Sequence, residues 1–290
     1  MTTLISSLII FSLAVLLASA AGGLAATLLS SGLRPVAASG SATMTVGDRA
    51  DLLRRAPGIG LTVAFTTLLA ALVLRAILIG HAPWSNLHEF SLAFATALLG
   101  SHLLLARAHP LSGLAPLTAL VAAGLLGFAL GLDDRVDPLV PALQQPLLLT
   151  IHVGSAVLAY AVSGVAFVAA AAEIGQARAG DGIPLLPSAA AARAVGHRAV
   201  LIAFPILTIA IALGSVWANL AWRSYWNNDP KELAAAATWL VFGAYLHVAG
   251  RRDQWERLAP WLIVLGFAAV LFTYIGAGLF FIGEHSYAAP

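Results

Sequence analysis

Between positions 217 and 232 the sequence reads WANLAWRSYWNNDPKE. Trp217, Trp222, Tyr225 and Trp226 stand there beside Arg223, Asn227, Asn228, Asp229, Lys231 and Glu232. Four aromatic rings so close together, mixed with amides and both charges, can form a platform where a planar ligand stacks and polar groups set its orientation. A plainer reading fits the same residues. Trp and Tyr form belts at membrane surfaces, Asp229-Pro230 starts a helix, and Glu232 suits the positive first turn. The segment alone leaves both readings open. Histidines add a second kind of chemistry, because neutral imidazole is a strong axial ligand for haem iron and indoles can cover the macrocycle. His152 and His285 are the pair of interest, provided the fold brings them to one place. Cysteine is absent, which excludes disulfides, thiolate metal ligands, iron–sulfur ligation and cysteine catalysis by this chain.

The elements that must position these groups are membrane helices. Of 290 residues, 60% are hydrophobic and only 10% charged, with a mean hydropathy of +0.91, whereas a soluble domain carries about a quarter charged residues. Apolar runs punctuated by Gly, Pro and charged clusters predict an all-α polytopic integral membrane protein. About eight transmembrane helices are expected, near 3–30, 58–80, 88–106, 112–131, 147–174, 199–221, 233–249 and 259–282. The runs are too long for barrel strands. Residues 1–30 lack a basic leading segment and are followed by further spans, so they read as a retained helix rather than an export signal. The chain thus divides into an N-terminal helix with a cytoplasmic loop, 1–57, and a membrane domain, 58–290.

Loops 31–57, 107–111, 175–198 and 250–258 hold Arg34, Arg49, Arg54, Arg55, Arg107, Arg178, Arg193, Arg198, Arg251, Arg252 and Arg257. The other side has Arg135, Arg223, Lys231 and, near a helix end, Arg75. This bias places the first set in the cytoplasm and both termini outside. On that topology His152, His285 and the aromatic segment share the external face. A pI near 9.3 built from scattered loop arginines makes no phosphate track, so no nucleic acid is expected. The absence of a convincing internal repeat argues against an inverted-repeat transporter.

His247 falls near the cytoplasmic end of its span, where an ionisable side chain is a functional hypothesis; a histidine bonded to a neighbouring helix is the alternative. His102, at similar depth, is its candidate internal partner. His81 and His88 flank the external HAPWSNLHE turn, where Trp84, Asn86 and Glu89 can shape the outer face. His109 and His197 fall in cytoplasmic loops. Arg75 either snorkels outward or faces a propionate or lipid phosphate.

PWSNLHE at 83–89, IHVGSAVLAYA at 151–161, AFPILTIAIALGSVWANLAWRSYWNNDPKE at 203–232, TWLVFGAYLH at 238–247 and LGFAAVLFTYIGAGLFFIGEHSY at 265–287 occur in this order. Together they resemble the CcsA (ResC) family of system II cytochrome c biogenesis proteins, over most of residues 58–290. The resemblance implies a component of a cytochrome c synthase (haem lyase) complex in the bacterial cytoplasmic membrane or a thylakoid membrane. Haem b (iron-protoporphyrin IX) would be presented at the outer face and joined through its vinyl groups to the two cysteines of an apocytochrome c CxxCH site. A CcsB/ResB-like membrane protein and thiol-reducing factors are the implied partners.

Carried onto this chain, His152 and His285 match the histidines that flank the external tryptophan-rich segment and ligate haem. His247 matches the membrane histidine of an inner haem position whose opposing histidine comes from the CcsB-like partner. Trp222, Trp226, Asp229, Pro230, Lys231 and Glu232 match the haem-handling signature, with Trp217 and Tyr225 extending its aromatic surface. Asp229 is a candidate for proton transfer, for orienting the loop, or for capping the next helix. The family pattern resembles WGxxWxWDPKE, so Arg223 stands where glycine is expected and Asn228 where the last tryptophan is expected. The first change adds a long cation near the haem edge and the second removes stacking area. A haem transporter or chaperone without ligase activity, and a quinone-linked subunit with permanent b-type haem, are the alternatives.

Overall fold

A bilayer offers no water to backbone N–H and C=O groups, so a long apolar run closes its hydrogen bonds within itself as a helix. The computed structural model describes residues 1–32, 46–109, 111–135, 146–251 and 255–285. Its long helices are α1 (Thr2–Gly32), α2 (Val46–Ile79), α3 (Leu87–Leu105), α4 (Ala115–Leu130), α5 (Pro146–Ala179), α6 (Ala189–Trp222), α7 (Pro230–Ala249) and α8 (Ala259–Leu271). A π-helical turn, Phe272–Gly276, and the short α9 (Ala277–Phe280) extend α8. No strand occurs among the described residues. Seven stretches are long and apolar enough to cross a membrane, in α1, α2, α4, α5, α6, α7 and the α8–α9 run. The remaining long helix, α3, spans 19 residues but carries His88, Glu89 and His102.

Helix α5 is the axis of the packing. It lies against α3, α6 and α8, and Val165, Ala166, Ala169 and Ala170 on it are fully buried. Alanine there lets the backbones approach, as small residues do between membrane helices. Helix α3 is the other internal element: 13 of its 19 residues are buried, between α2, α4 and α5. By contrast α1 packs on α2 and α4 and turns Phe11, Leu17, Leu24 and Leu28 outward. Ser12 and Thr67 bridge α1 and α2 with a 2.6 Å hydrogen bond.

Several helices outrun the sequence expectations, whereas α4 begins at Ala115 rather than 112 and the α8–α9 run stops at Phe280 rather than 282. The second span was expected from 58, yet α2 runs from Val46 through Pro57. Pro57 removes one donor without ending the helix. The expected loop at 175–198 shrinks to the connection between Ala179 and Ala189, because polar residues that leave the bilayer stay helical. Gln176 holds that connection: its Nε2 donates to the carbonyls of Ile183 at 3.0 Å and Leu186 at 3.3 Å, and its Oε1 accepts from Ile183 N–H at 3.0 Å. Arg193 then joins α5 to the approach of α8, contacting Glu173 and Glu256 at 2.7 Å each. Arg34 and Arg252 of the basic set lie outside the described residues.

Candidate functional site

Helix α6 ends at Trp222 because the next residue turns left-handed. Arg223 has φ 62° and ψ 22°, and its N–H returns to the Asn219 carbonyl at 3.1 Å. That conformation favours glycine, so the glycine of the family pattern has a backbone reason and Arg223 adopts it against the preference. Asn228 is also left-handed, at φ 55°, a region asparagine tolerates. The segment between them folds back along α6, where Ser215 Oγ donates to the Tyr225 carbonyl at 2.8 Å. Trp226 Nε1–H donates to Asn228 Oδ1 at 3.0 Å. Tyr225 and Trp226 are exposed at the rim.

Asp229 and Glu232 start α7 with a capping box. The Asp229 carboxylate accepts the Lys231 N–H at 2.9 Å, and Glu232 Oε2 accepts the N–H groups of Asn227 and Asp229 at 2.8 and 3.1 Å. The same Asp229 carboxylate accepts from His285, at 2.8 Å from Nδ1 and 3.4 Å from the backbone N–H. Gly283 makes this docking possible, since a Cβ there would collide with Asp229 and Pro230. Burial alone would raise the Asp229 pKa, but the His285 ring bond and charge, with the backbone donors of Lys231 and His285, bring it down to about 2. The group is therefore a carboxylate, not an acid, at any ordinary pH.

His152 reaches the same place from α5. Its Nδ1 bonds the Ala210 carbonyl of α6 at 2.9 Å, and its ring lies against Gly214, where a Cβ would stand only 2.6 Å from Cε1. Trp217, 1% exposed, lies beside both histidines. Its ring centroid is 6.1 Å from His152 at an interplanar angle of 11° and 5.8 Å from His285 at 46°. Trp222 packs edge-on to Trp217 at 4.7 Å and to His285 at 4.9 Å. Both histidines engage an oxygen through Nδ1, and the neutral tautomer that donates there carries its lone pair on Nε2, the form a metal takes.

His152, Trp217 and His285 line a groove of about 1170 Å³, counted to its open mouth. Trp84, Asn86 and Tyr225 stand on the lining with the histidines, as do Lys231 and Glu232. Deeper, Phe90, Tyr160 and Tyr274 form an aromatic floor, with Phe90 and Tyr274 stacked at 5.1 Å. The π-helical turn carries Thr273 and Tyr274 to that floor, where Tyr274 is hydrogen-bonded to Ser91 of α3. Local π-helical geometry is common where side chains serve a site. The chemistry is that of a slot for a large flat ligand, with aromatic walls, imidazoles at one end, and a Lys and a Glu for a charged edge.

The other expected positions are dispersed. His247 lies exposed on α7. His102 bonds Thr118 of α4 at 2.8 Å, so its Nδ1 is committed to α4 rather than to His247. His88 is buried against the Ala129 carbonyl, and His81 bonds the Ala82 carbonyl. His197 sits within α6, not in a loop, with Nδ1 3.2 Å from the Tyr245 hydroxyl. Arg75, expected to snorkel outward or to face a propionate or lipid phosphate, instead turns inward: it pairs with Glu89 at 2.9 Å and donates to the Asp134 carbonyl at 2.7 Å. Glu89 is drawn inward because Ser85 also donates to it, from N–H at 2.9 Å and Oγ at 2.7 Å. Sequence reasoning missed the Tyr160, Tyr274 and Ser91 floor; two tyrosines inside otherwise apolar spans were the available signal.

The architecture is that of a multi-pass all-helical membrane protein whose groove gathers histidines and indoles from four segments. A family model described as cytochrome c assembly protein matches residues 84–285, from Trp84 on one wall of the groove to His285 on another. The chain is 34% identical over 258 residues to "Cytochrome c biogenesis protein CcsA" of Synechococcus sp. (strain CC9902), covering 78% of this chain and 84% of that protein. The protein of the same name from Parasynechococcus marenigrum (strain WH8102) is 35% identical over 261 residues, covering 78% and 85%. That from Chlamydomonas reinhardtii is 35% identical over 242 residues, covering 80% and 68%. The chain belongs to the cytochrome c assembly protein family.

Proposed function

We propose that this chain holds haem b at the external membrane face and presents it for covalent attachment to the cysteines of an apocytochrome c CxxCH site. The observation that carries this reading is the convergence of His152, on α5, and His285, at the end of the family match, on the buried Trp217. The groove is lined mainly by apolar and aromatic side chains with a few polar groups, the lining that suits a planar organic ligand. His152 and His285 bind the iron, the indoles cover the ring, and Lys231 meets a propionate at the charged edge. In the covalent step each cysteine S–H adds across a vinyl C=C: sulfur bonds the inner carbon, hydrogen ends on the outer carbon, and nothing leaves. The absence of cysteine from this chain fits a reaction in which the cytochrome supplies both thiols. The chain contributes position and exclusion of water rather than a nucleophile.

His247 belongs to the same reading as an inner haem station. It is exposed on α7, and its candidate internal partner, His102, is bonded to Thr118. The second ligand there comes from outside, from a CcsB/ResB-like partner. The test is purification with that partner and an apocytochrome, with haem spectroscopy and product mass analysis for wild type, His152→Ala and His285→Ala. Loss of haem occupancy and of thioether product in both variants is expected. Normal occupancy and yield in both would overturn the outer site, and haem bound without any thioether in the wild-type complex would leave a haem chaperone.

A further inference from the structure

The turn that enters α3 is held by more polar bonds than a helix start needs. Glu89, with its side chain 1% exposed, takes Arg75 Nε at 2.9 Å on one oxygen and the N–H and Oγ of Ser85 at 2.9 and 2.7 Å on the other. Arg75, 4% exposed, also donates to the Asp134 carbonyl at 2.7 Å, so three chain segments meet on one buried ion pair. Ionised groups among membrane helices are costly and by default mark a function. What this knot fixes is the turn at 84–86, where Trp84 and Asn86 stand on the wall of the groove. Asn86 caps α3, its Oδ1 accepting the Glu89 N–H at 2.9 Å. An amide bonded through its oxygen keeps its two N–H donors at the other end, and among the described residues none accepts from Nδ2.

The other aliphatic polar side chains on the lining are Ser215, Lys231, Glu232 and Thr273. Ser215 donates to the Tyr225 carbonyl and Thr273 to that of Ala269, both at 2.8 Å, and Glu232 accepts from the backbone ahead of α7. Asn86 and Lys231 are what remains of this set to meet an anion. Resting on the haem-presenting reading above, we infer that Asn86 is a haem-binding residue: its Nδ2 donates to a propionate carboxylate, and the Arg75–Glu89 pair aims it. With the iron fixed by imidazoles, contacts at the carboxylate edge set the rotation of the ring about its axial bonds. Asn86 thereby decides which way the vinyl groups face.

Aspartate caps a helix as well as asparagine does, so Asn86→Asp keeps the bond to the Glu89 N–H while exchanging a donor for a charge of the propionate's own sign. The full chain in lipid nanodiscs, as wild type, Asn86→Asp and Asn86→Ser, is titrated with iron-protoporphyrin IX and with its dimethyl ester, and binding is followed by absorbance. Asn86→Asp is expected to bind iron-protoporphyrin IX about 10–100-fold more weakly than wild type, the range for losing a hydrogen bond to a charged group, with Asn86→Ser in between. Toward the dimethyl ester, whose side chains carry no charge, both variants are expected to stay within about threefold of wild type. Wild-type affinity for iron-protoporphyrin IX in Asn86→Asp overturns the inference. So does an equal loss toward acid and ester, which assigns Asn86 to the shape of the groove. Serine also caps helices, and if Asn86→Asp does not fold, Asn86→Ser decides by the same two comparisons. A wild-type chain that binds neither compound removes the haem-presenting reading, and the inference with it.

Discussion

Arg223 shows how a departure from a motif is absorbed by backbone conformation. A left-handed residue with a Cβ costs about 1–2 kcal/mol, and Arg223 is left-handed at the end of α6 with its side chain exposed. Arg223→Gly is therefore expected to raise stability by about 1 kcal/mol, seen as a higher unfolding temperature in detergent; an equal or lower temperature would show that the guanidinium makes compensating contacts. Much at this scale was legible in the sequence. Indoles, amides and histidines are conspicuous in a chain that is 60% hydrophobic, and Asp229-Pro230 followed by Glu232 reads directly as a helix start. The bond from Asp229 to His285 was not legible, because it joins residues 56 positions apart and depends on Gly283 letting the last segment lie against α7. Of the roles considered for Asp229, capping the next helix is the one seen in its hydrogen bonds.

At the scale of helices, the apolar runs located every long element, while α2, α5 and α6 ran well past the expected ends. Pro57 and the arginines at 193 and 198 punctuate the sequence without breaking the helix, since a helix leaving the bilayer keeps its hydrogen bonds, whereas the turn at Gly180 ends α5. Polar residues inside the bundle were harder to read, for pairing between helices leaves no periodic trace. Arg75 and Glu89, with side chains 4% and 1% exposed, tie the end of α2 to the start of α3. Removing one partner of such a buried pair strands the other charge at about 3–5 kcal/mol. Arg75→Met is expected to lower stability by that amount in denaturant titrations, and the double change Arg75→Met with Glu89→Leu to recover most of it. If the single change is silent, the pair carries no structural weight.

For the whole molecule, the arginine bias predicts which face the groove occupies, and a chain free of cysteine is ready for a direct test. Arg135 stands beyond the end of α4, and Arg257 lies in the connection before α8; both are exposed. In intact cells a membrane-impermeant maleimide is expected to label Arg135→Cys and to spare Arg257→Cys until the membrane is opened. The opposite pattern would invert the molecule and turn the groove to the cytoplasm. The burial of α3 bears on how such a chain is made. With Glu89 and two histidines in 19 residues, α3 is a poor substrate for insertion as an isolated segment, because each ionisable group raises its transfer free energy. Arg75 lies at the trailing end of the helix synthesised just before it, so the charge that neutralises Glu89 is already at the translocon when α3 emerges. Helices α2 and α3 are thus expected to enter the bilayer as one hairpin, with the ion pair that joins them as its passport.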